Sequence, residues 1–281
     1  MTLAVSTKPA IDWPVFLFMA AVHGLALLAL LPTNFNWPAV FVMVFLYWVT
    51  GCLGITLGWH RMISHRSFTS PKWFEYFLVF CGSLACQHGP IEWVGLHRHH
   101  HAYSDQPNDH HDSNKGFWWS HMDWLVREVP AKTEIPRFTR DIASDPFYRF
   151  CNRWFLAFQI PLAIALYFWG EAWVGNGVSF VLWGIFARLV VTYHCTWFVN
   201  SATHKFGYRT FEDSGDKSTN CWWVALLTFG EGWHNNHHMY QFSARHGLMW
   251  WEFDLTWLII SGLERLGLAR NIKLAPQPQL H

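Results

Sequence analysis

The histidines are the residues in this sequence whose type and spacing can do chemistry. In EGWHNNHH, residues 231–238, His234, His237 and His238 stand at i, i+3 and i+4, which puts all three on one face of a helix. Neutral imidazole binds iron, copper, zinc or nickel, so such a face can hold a metal. LHRHHH repeats the spacing with His97, His100 and His101, and leaves His99 pointing off that face, toward surrounding protein or the surface. His60 and His65 in GWHRMISH are five apart, so they can share a metal only if the helix ends or bends between them. His204 follows Asn200 by one turn in NSATH, and a helix there carries both toward the other clusters. Nine histidines exceed any single tetrahedral site and point to two metal ions close together. A ligand set made almost wholly of imidazole differs from the carboxylate-rich di-iron bundles. Glu231, one turn ahead of His234, is placed to orient a ligand by accepting from its other ring nitrogen. His110, His111, His121, His194 and His246 lack matched spacing and read as packing or hydrogen-bonding residues.

The elements that must position these clusters belong to a membrane protein. The 281 residues are 52% apolar, 19% aromatic and 14% charged, and the charge is segregated between long apolar runs. Trp13 to Leu31 and Ala39 to Gly58 carry no charge, and each is long enough as a helix to cross a bilayer core of roughly 30 Å. A second pair, Trp154 to Trp169 and about Ala172 to Val199, is expected to turn at Gly170-Glu171. Arg188 is costly at mid-bilayer, so either the span ends near it and the helix continues into water, the preferred reading, or the side chain faces the protein interior. Trp73 to Cys86 is too short to cross comfortably and reads as an interfacial or re-entrant helix, which keeps the histidine clusters on one side. Leu248 to Leu268, with Glu252, Asp254 and Glu264, reads as an interfacial amphipathic helix.

The expected fold is an all-α integral membrane protein, a single domain over 1–281. Four transmembrane helices, about 13–31, 39–58, 154–169 and 172–190, support a helical cap formed by 59–153 and 200–281. All but Lys8 and Arg188 of the 20 lysines and arginines fall on the cap side, which by the positive-inside bias faces the cytoplasm. Residues 1–12 show no removable signal pattern, and the tail APQPQLH reads as disordered. The six cysteines form no CxxC pair and read as buried thiols. A net charge of +1 with no basic stripe argues against nucleic acid. His23, inside the first run, reads as a packed or hydrogen-bonded histidine.

The motifs GWHRMISHRSF, EWVGLHRHHHAYSD, GFWWSHMDWL, WFVNSATH and EGWHNNHH, in this order within about residues 40–270, resemble the membrane-bound fatty acyl desaturases, specifically the Δ9 group. The resemblance implies the same four-span fold with a cytosolic cap. It implies a di-iron site of two Fe2+ ions held by His60, His65, His97, His100, His101, His204, His234, His237 and His238, with Asn200 acting through a water. The implied division gives His60, His65, His97, His101 and His237 to one iron and His100, His204, His234 and His238 to the other. The implied reaction removes hydrogen from two neighbouring methylenes, leaves a cis double bond and turns O2 into water. Its two electrons must come from a separate protein, because this sequence carries no haem, flavin or dinucleotide fingerprint.

In the animal acyl-CoA members the two positions before the second histidine motif are Arg-Asp and help hold the CoA. Here they are Gly95 and Leu96, which removes a charge-assisted contact. The short chain, GWHNNHH and QFSARHGLMWWEFDLTW look like the cyanobacterial acyl-lipid desaturases. That likeness implies a Δ9 double bond in saturated C16 and C18 chains of membrane glycerolipids, ferredoxin as donor, and an inner or thylakoid membrane. The alternatives are an acyl-CoA Δ9 desaturase using cytochrome b5 and a hydroxylase with similar histidine motifs. A metal carrier is disfavoured because only His23 and His194 lie within the expected spans. Thr196 and Trp197, one turn before Asn200, are candidates to line the acyl tunnel, with core packing as the other reading. Arg61, Arg66, Lys72 and Arg98 are candidates for a basic surface that meets an acidic iron-sulfur protein.

Overall fold

The computed structural model describes residues 9–276; Lys8 and the first polar residues, and the end of the tail from Gln277, lie outside it. Among the described residues the chain is helical, with isolated β-bridges and no strand. α1, Trp13–Leu28, starts where the Asp12 carboxylate accepts from the Val15 N–H and Pro14 occupies the first turn. α2, Trp37–Ser64, starts in the same way at Asn36 and Pro38. α3, Lys72–Ser83, and α4, Pro90–Tyr103, follow. α5, Phe117–His121, α6, Ala131–Phe138, and α7, Pro146–Trp154, are short. α8, Gln159–Val174, and α9, Gly177–His204, form the second apolar pair. α10, Trp222–Leu227, α11, His234–Met239, and α12, Leu255–Arg265, complete the chain.

Two helices, α2 and α9, each of 28 residues, are long and apolar enough to cross a membrane. α7 and α8 make a third candidate across a 67° bend, and α1, at 16 residues, falls short of the usual span length of about 20. The expected turn at Gly170-Glu171 is not where the chain reverses. α8 continues through both, and it ends where Gly175 takes a left-handed φ of +68° and Asn176 caps α9 by accepting from the Ser179 N–H. Gly170 serves packing instead, since a Cβ there would lie 2.8 Å from the Phe180 ring. The helix of the last expected span therefore starts at Gly177 rather than 172, and it runs on through Arg188. That residue is fully buried, and its guanidinium donates to Gly184 O, Leu84 O, Thr50 Oγ1 and Gln159 Oε1, so α9 carries it through the interior and runs on to His204. The charge faces acceptors supplied by α2, α8 and the end of α3, which is how a buried guanidinium is tolerated.

α2 and α3 approach backbone to backbone, since a Cβ on Gly54 would lie 2.3 Å from Gly82 N. α3 buries Leu78 and Val79 and exposes Trp73, Phe77 and Phe80, the two-faced pattern of an interfacial helix. The last amphipathic helix is shorter than 248–268. The backbone N–H groups of Leu248 and Met249 turn in to the Glu252 carboxylate, and Asp254 then caps α12 by accepting from Trp257 N–H.

Candidate metal centre

The second half of α2, Trp48–Ser64, is wound wider than an α-helix, with i to i+5 bonding that ends at His65 N–H to His60 O, 3.1 Å. That winding answers the five-residue spacing. The helix widens through His60 and ends at Ser64, just before His65, so the two rings meet edge to face with centroids 4.8 Å apart.

α4 turns His97, His100 and His101 inward, while Arg98, on another side of the helix, donates to Ile63 O, Ser64 O, Phe138 O and Asp141. These bonds lock the end of α2 against α4. α11 is only six residues long, too short to persist alone. Its two asparagines clamp it: Asn235 Oδ1 accepts from the N–H groups of Thr210 and Phe211, and Asn236 donates to His246 O and Glu252.

Nine imidazoles converge in two groups. In the first, the ligand atoms of His60, His65, His97, His101 and His237 lie within 4.8 Å of one another; in the second, so do those of His100, His204, His234 and His238. Both α4 and α11 split their histidines between the groups, and the rings of His101 and His238 meet at 4.6 Å where the groups abut. Asn200 lines the cavity beside both groups.

Both groups fit a cation. In the first, Nε2 of His97 lies 2.8 Å from that of His65 and 3.0 Å from that of His101, and Nε2 of His237 lies 3.1 Å from that of His60 and 3.0 Å from that of His101. Nitrogens bound at about 2.1 Å to one ion, at right angles, are about 3 Å apart. In the second, the buried Nε2 atoms of His100, His204 and His238 and both ring nitrogens of His234 have no hydrogen-bond partner. Each unsatisfied atom costs about 1–3 kcal/mol, which a shared cation removes.

The other ring nitrogens face carboxylates. His100 Nδ1 lies 2.9 Å from Asp109, His204 Nδ1 2.9 Å from Asp105, His60 Nδ1 2.5 Å from Glu231, and His238 Nδ1 is in close contact with Asp216. Glu231 thus faces one of the clustered histidines, as its place suggested, and that histidine is His60. Burial raises the carboxyls of Asp105, Asp109 and Asp216, but the facing histidines outweigh it and hold them below their ordinary range. Burial pushes His65, His97, His101, His234 and His237 well below the ordinary imidazole value, so they are neutral, the form a cation binds.

Sequence reasoning missed Asp105, Asp109 and Asp216. It also passed over His246, whose ring lies 4.4 Å from that of His237 and whose Nδ1 is 3.4 Å from Glu231, and His111, 4.1 Å from the His100 ring. The available signal was the need of each ligand for an acceptor on its second nitrogen, in a chain with few carboxylates. His99 lies off the His100 face as expected but is buried rather than on the surface, against Tyr103 and Phe138.

A cavity of about 280 Å³ reaches this centre, lined by Phe18, Met19, Leu96, His97, Trp197 and Asn200 among others. A second lobe of about 60 Å³ runs on past His60, His100 and His234 to Tyr47 and Cys195. Trp93, His97, Thr196 and Asn200 line both lobes, and Trp197 lines the larger one. Gln87 fixes the junction, donating to Thr196 Oγ1 at 2.8 Å and accepting from Trp93 Nε1 at 3.2 Å.

The expected basic surface is different. Arg61 is fully buried, paired with Glu231 and Asp254, and Arg98 is mostly covered, so Arg66 and Lys72 are the exposed members of the four. Gly95 is buried under α6, where a Cβ would lie 2.7 Å from Ile135, and Leu96 lines the cavity.

The fatty acid desaturase family model matches residues 35–270. The chain is 61% identical over 279 residues, 99% of its length and 100% of the other's, to the sn-1 stearoyl-lipid 9-desaturase of Anabaena variabilis. It is 59% identical to the protein of the same name from Synechocystis sp., covering 96% of this chain and 84% of that one. The sn-2 palmitoyl-lipid 9-desaturase of a Nostoc species is 46% identical, over 96% of this chain and 93% of that one. An all-helical scaffold, two converging histidine groups beside an apolar cavity, and a match over most of its length together establish that the chain belongs to the iron-dependent fatty acid desaturase family.

Proposed function

We propose that this protein introduces a cis Δ9 double bond into a stearoyl chain carried by a membrane glycerolipid, with O2 as oxidant and reduced ferredoxin as donor. The observation that carries this reading is the near-full-length identity to proteins named stearoyl-lipid 9-desaturases. The two-lobed cavity supports it, because an apolar chain threaded through both lobes passes His97 and Asn200 at their junction. The reaction balances as one CH2–CH2 unit, one O2, two electrons and two protons giving one CH=CH unit and two waters.

The nine histidines hold two iron ions in this reading, divided as the two groups are, with Asn200 acting through a water. When bound, the irons supply the O2 chemistry that removes the two hydrogens. Everything else is the work of the chain. Asp105, Asp109, Asp216 and Glu231 fix which ring nitrogen of their histidines faces the metal. The Trp93–Gln87–Thr196 bonds hold the wall where the lobes meet, and the apolar lining keeps water from the reacting carbons.

The single desaturase domain spans 1–281, with α1, α2, the bent α7–α8 pair and α9 as its four membrane segments, and the cap faces the cytoplasm of a cell inner or thylakoid membrane. Basic residues concentrated on the cap support that orientation. Ferredoxin docks at an open groove lined by Ser64, His65, Arg66, Arg98, His238, Met239, Gln241 and Phe242, whose wall includes one histidine from each group. Arg66 and Arg98 share one carboxylate, Asp141, which leaves a positive charge for an acidic partner.

Purified enzyme given reduced ferredoxin and a saturated glycerolipid is expected to form the unsaturated lipid, at a rate that falls as salt rises. Arg66→Glu is expected to raise the KM for ferredoxin without changing that for lipid. Turnover of free stearoyl-CoA with cytochrome b5, with the intact lipid untouched, replaces this reading by the acyl-CoA one, and a hydroxylated product replaces it by the hydroxylase.

A further inference from the structure

Away from the two groups, a separate line of imidazoles crosses the fold. His23 Nε2 of α1 lies 3.2 Å from His194 Nε2 of α9; His194 Nδ1 lies 3.0 Å from His121 Nε2 of α5; His121 Nδ1 lies 2.9 Å from Ser201 Oγ. The far end is anchored by His23 Nδ1, 2.7 Å from Met19 O. A carbonyl only accepts, so His23 Nδ1 holds the proton and its Nε2 accepts from His194 Nε2. The Ser201 hydroxyl has one proton and two acceptors in reach, Trp197 O at 2.8 Å and His121 Nδ1 at 2.9 Å. Turned to His121, it leaves His121 Nε2 to donate to His194 Nδ1, and neutral rings then satisfy the line; turned to Trp197 O, it leaves one link of the line without a proton. Burial first, and then the proximity of His194, pushes His121 down to about 4, which keeps it neutral at pH 7. His194 turns its two nitrogens to different neighbours, so the line has no set of converging lone pairs and is not a further metal site.

The line encloses one side chain. The Trp197 indole lies parallel to His23 at 6.4 Å and 16° and to Tyr193 at 5.5 Å and 17°. It meets the rings of His194 and His121 edge-on, at 5.0 and 5.7 Å. Trp197 walls the larger cavity lobe together with Met19, whose carbonyl anchors the line. Ser201, at the other end, adjoins Asn200, which lines both lobes. α5 has five residues and no capping side chain, so its place depends on contacts such as His121.

We propose that His23, His194, His121 and Ser201 are positioning residues, a hydrogen-bonded brace that pins α1 and α5 to α9 and holds the Trp197 wall in register with the histidine groups, so fixing which carbons of the acyl chain stop beside them. This rests on the reading of the cavity as the acyl site. None of the four lines that cavity; they act through Trp197 and the helices that carry it.

The test is the position of the double bond. His194→Leu cuts both links, while His194→Gln keeps a donor toward His23 and an acceptor toward His121. Both variants and wild type are expressed in a host that makes saturated glycerolipids, double-bond positions are mapped by mass spectrometry, and bound iron is measured. In a positioned reaction a displacement of about 1 Å costs up to about 100-fold, so in His194→Leu the isomers at neighbouring positions are expected to rise roughly tenfold relative to the main one. His194→Gln is expected to restore the wild-type ratio, and iron per chain to stay constant throughout. The ratio belongs to each turnover, so a smaller amount of folded enzyme does not move it, and His23→Leu, which cuts one link only, gives the same readout from a milder change. Wild-type ratios in both leucine variants, or a glutamine variant as scrambled as the leucine one, overturn the brace. A wild-type chain that makes no double bond removes the desaturase reading itself, a distinguishable result.

Discussion

His100, His204 and His238 each lean on a carboxylate, from Asp109, Asp105 and Asp216, whereas among His60, His65, His97, His101 and His237 the described residues give such a partner to His60 alone, in Glu231. The difference follows from the elements beneath. The first group is set by the wide turn of α2, by α4 and by α11, and five rings fix one another by contact. The second takes its orienting charges from the loops after α4 and before α10. Those loops are stitched together: Asp105 accepts from Lys217 N–H at 2.8 Å, and Ser104 Oγ donates to Asp216 at 3.1 Å. One group is thus held by helix packing and the other by loop electrostatics, and the second is expected to be the easier to empty.

The largest effect expected from breaking this contrast comes from a ligand of the carboxylate-held group. His100→Ala removes a buried ring nitrogen that has no hydrogen-bond partner, and activity is expected to fall by more than about 100-fold, with loss of iron by elemental analysis. The contrast sharpens one layer out. Asp109→Asn and Asp105→Asn keep the shape but remove the charge, and each is expected to lower iron affinity or activity by about 10- to 100-fold. Removing the nitrogen that faces Glu231, by His246→Phe, is expected to cost less, because the five histidines of the first group all remain. If Asp109→Asn binds iron like wild type in a titration, the electrostatic account of the second group fails.

The histidines themselves were legible, because their spacing repeats a helical period and nothing else in a charge-poor chain explains so many imidazoles on one side. Their division was legible only through resemblance, since periodicity places His97, His100 and His101 on one face without saying that α4 sends them to two centres. Three other features were hidden for physical reasons. The widening of α2 leaves no mark beyond the His60–His65 spacing itself. Gly170 looked like a turn residue because packing glycines and turn glycines are the same residue, and only the neighbouring Phe180 distinguishes them. Arg61 and Arg188 looked like surface or span-end charges, but they are buried because remote segments supply their acceptors, Glu231 and Asp254 for the one, Leu84 and Gln159 for the other.

Acidity offers a smaller effect on the metal-free chain. Burial first, and then Arg61, lowers His246 to about 4, against an ordinary value near 6.5. A depressed histidine contributes stability that is complete above about pH 6.5 and is lost as the pH falls from there toward 4. Metal-free protein in detergent is therefore expected to melt at a lower temperature at pH 5.5 than at pH 7.5, and iron-loaded protein to show a smaller drop, since the cation must be displaced before the rings it occupies take protons. A melting temperature independent of pH over this range removes the claim that the buried rings are held neutral.

The smallest effect is expected at His99, next in sequence to the residue with the largest. The two are about 100° apart on α4, so His99 turns away from both groups. Its ring packs on Tyr103 at 4.8 Å and Phe138 at 5.6 Å, and Glu134, 3.8 Å from Nε2, is too far for a hydrogen bond. His99→Ala therefore leaves a cavity against α6 but uncovers no ligand position. It is expected to cost about 1–3 kcal/mol of stability while iron content and double-bond position stay as in wild type and activity stays within a few-fold. Iron content separates this outcome from its opposite, because a merely destabilised chain still binds iron in the fraction that folds. Equal iron loss in His99→Ala and His100→Ala, measured on folded protein recovered at the same yield, means that α4 does not present the face on which the contrast between the two groups is built.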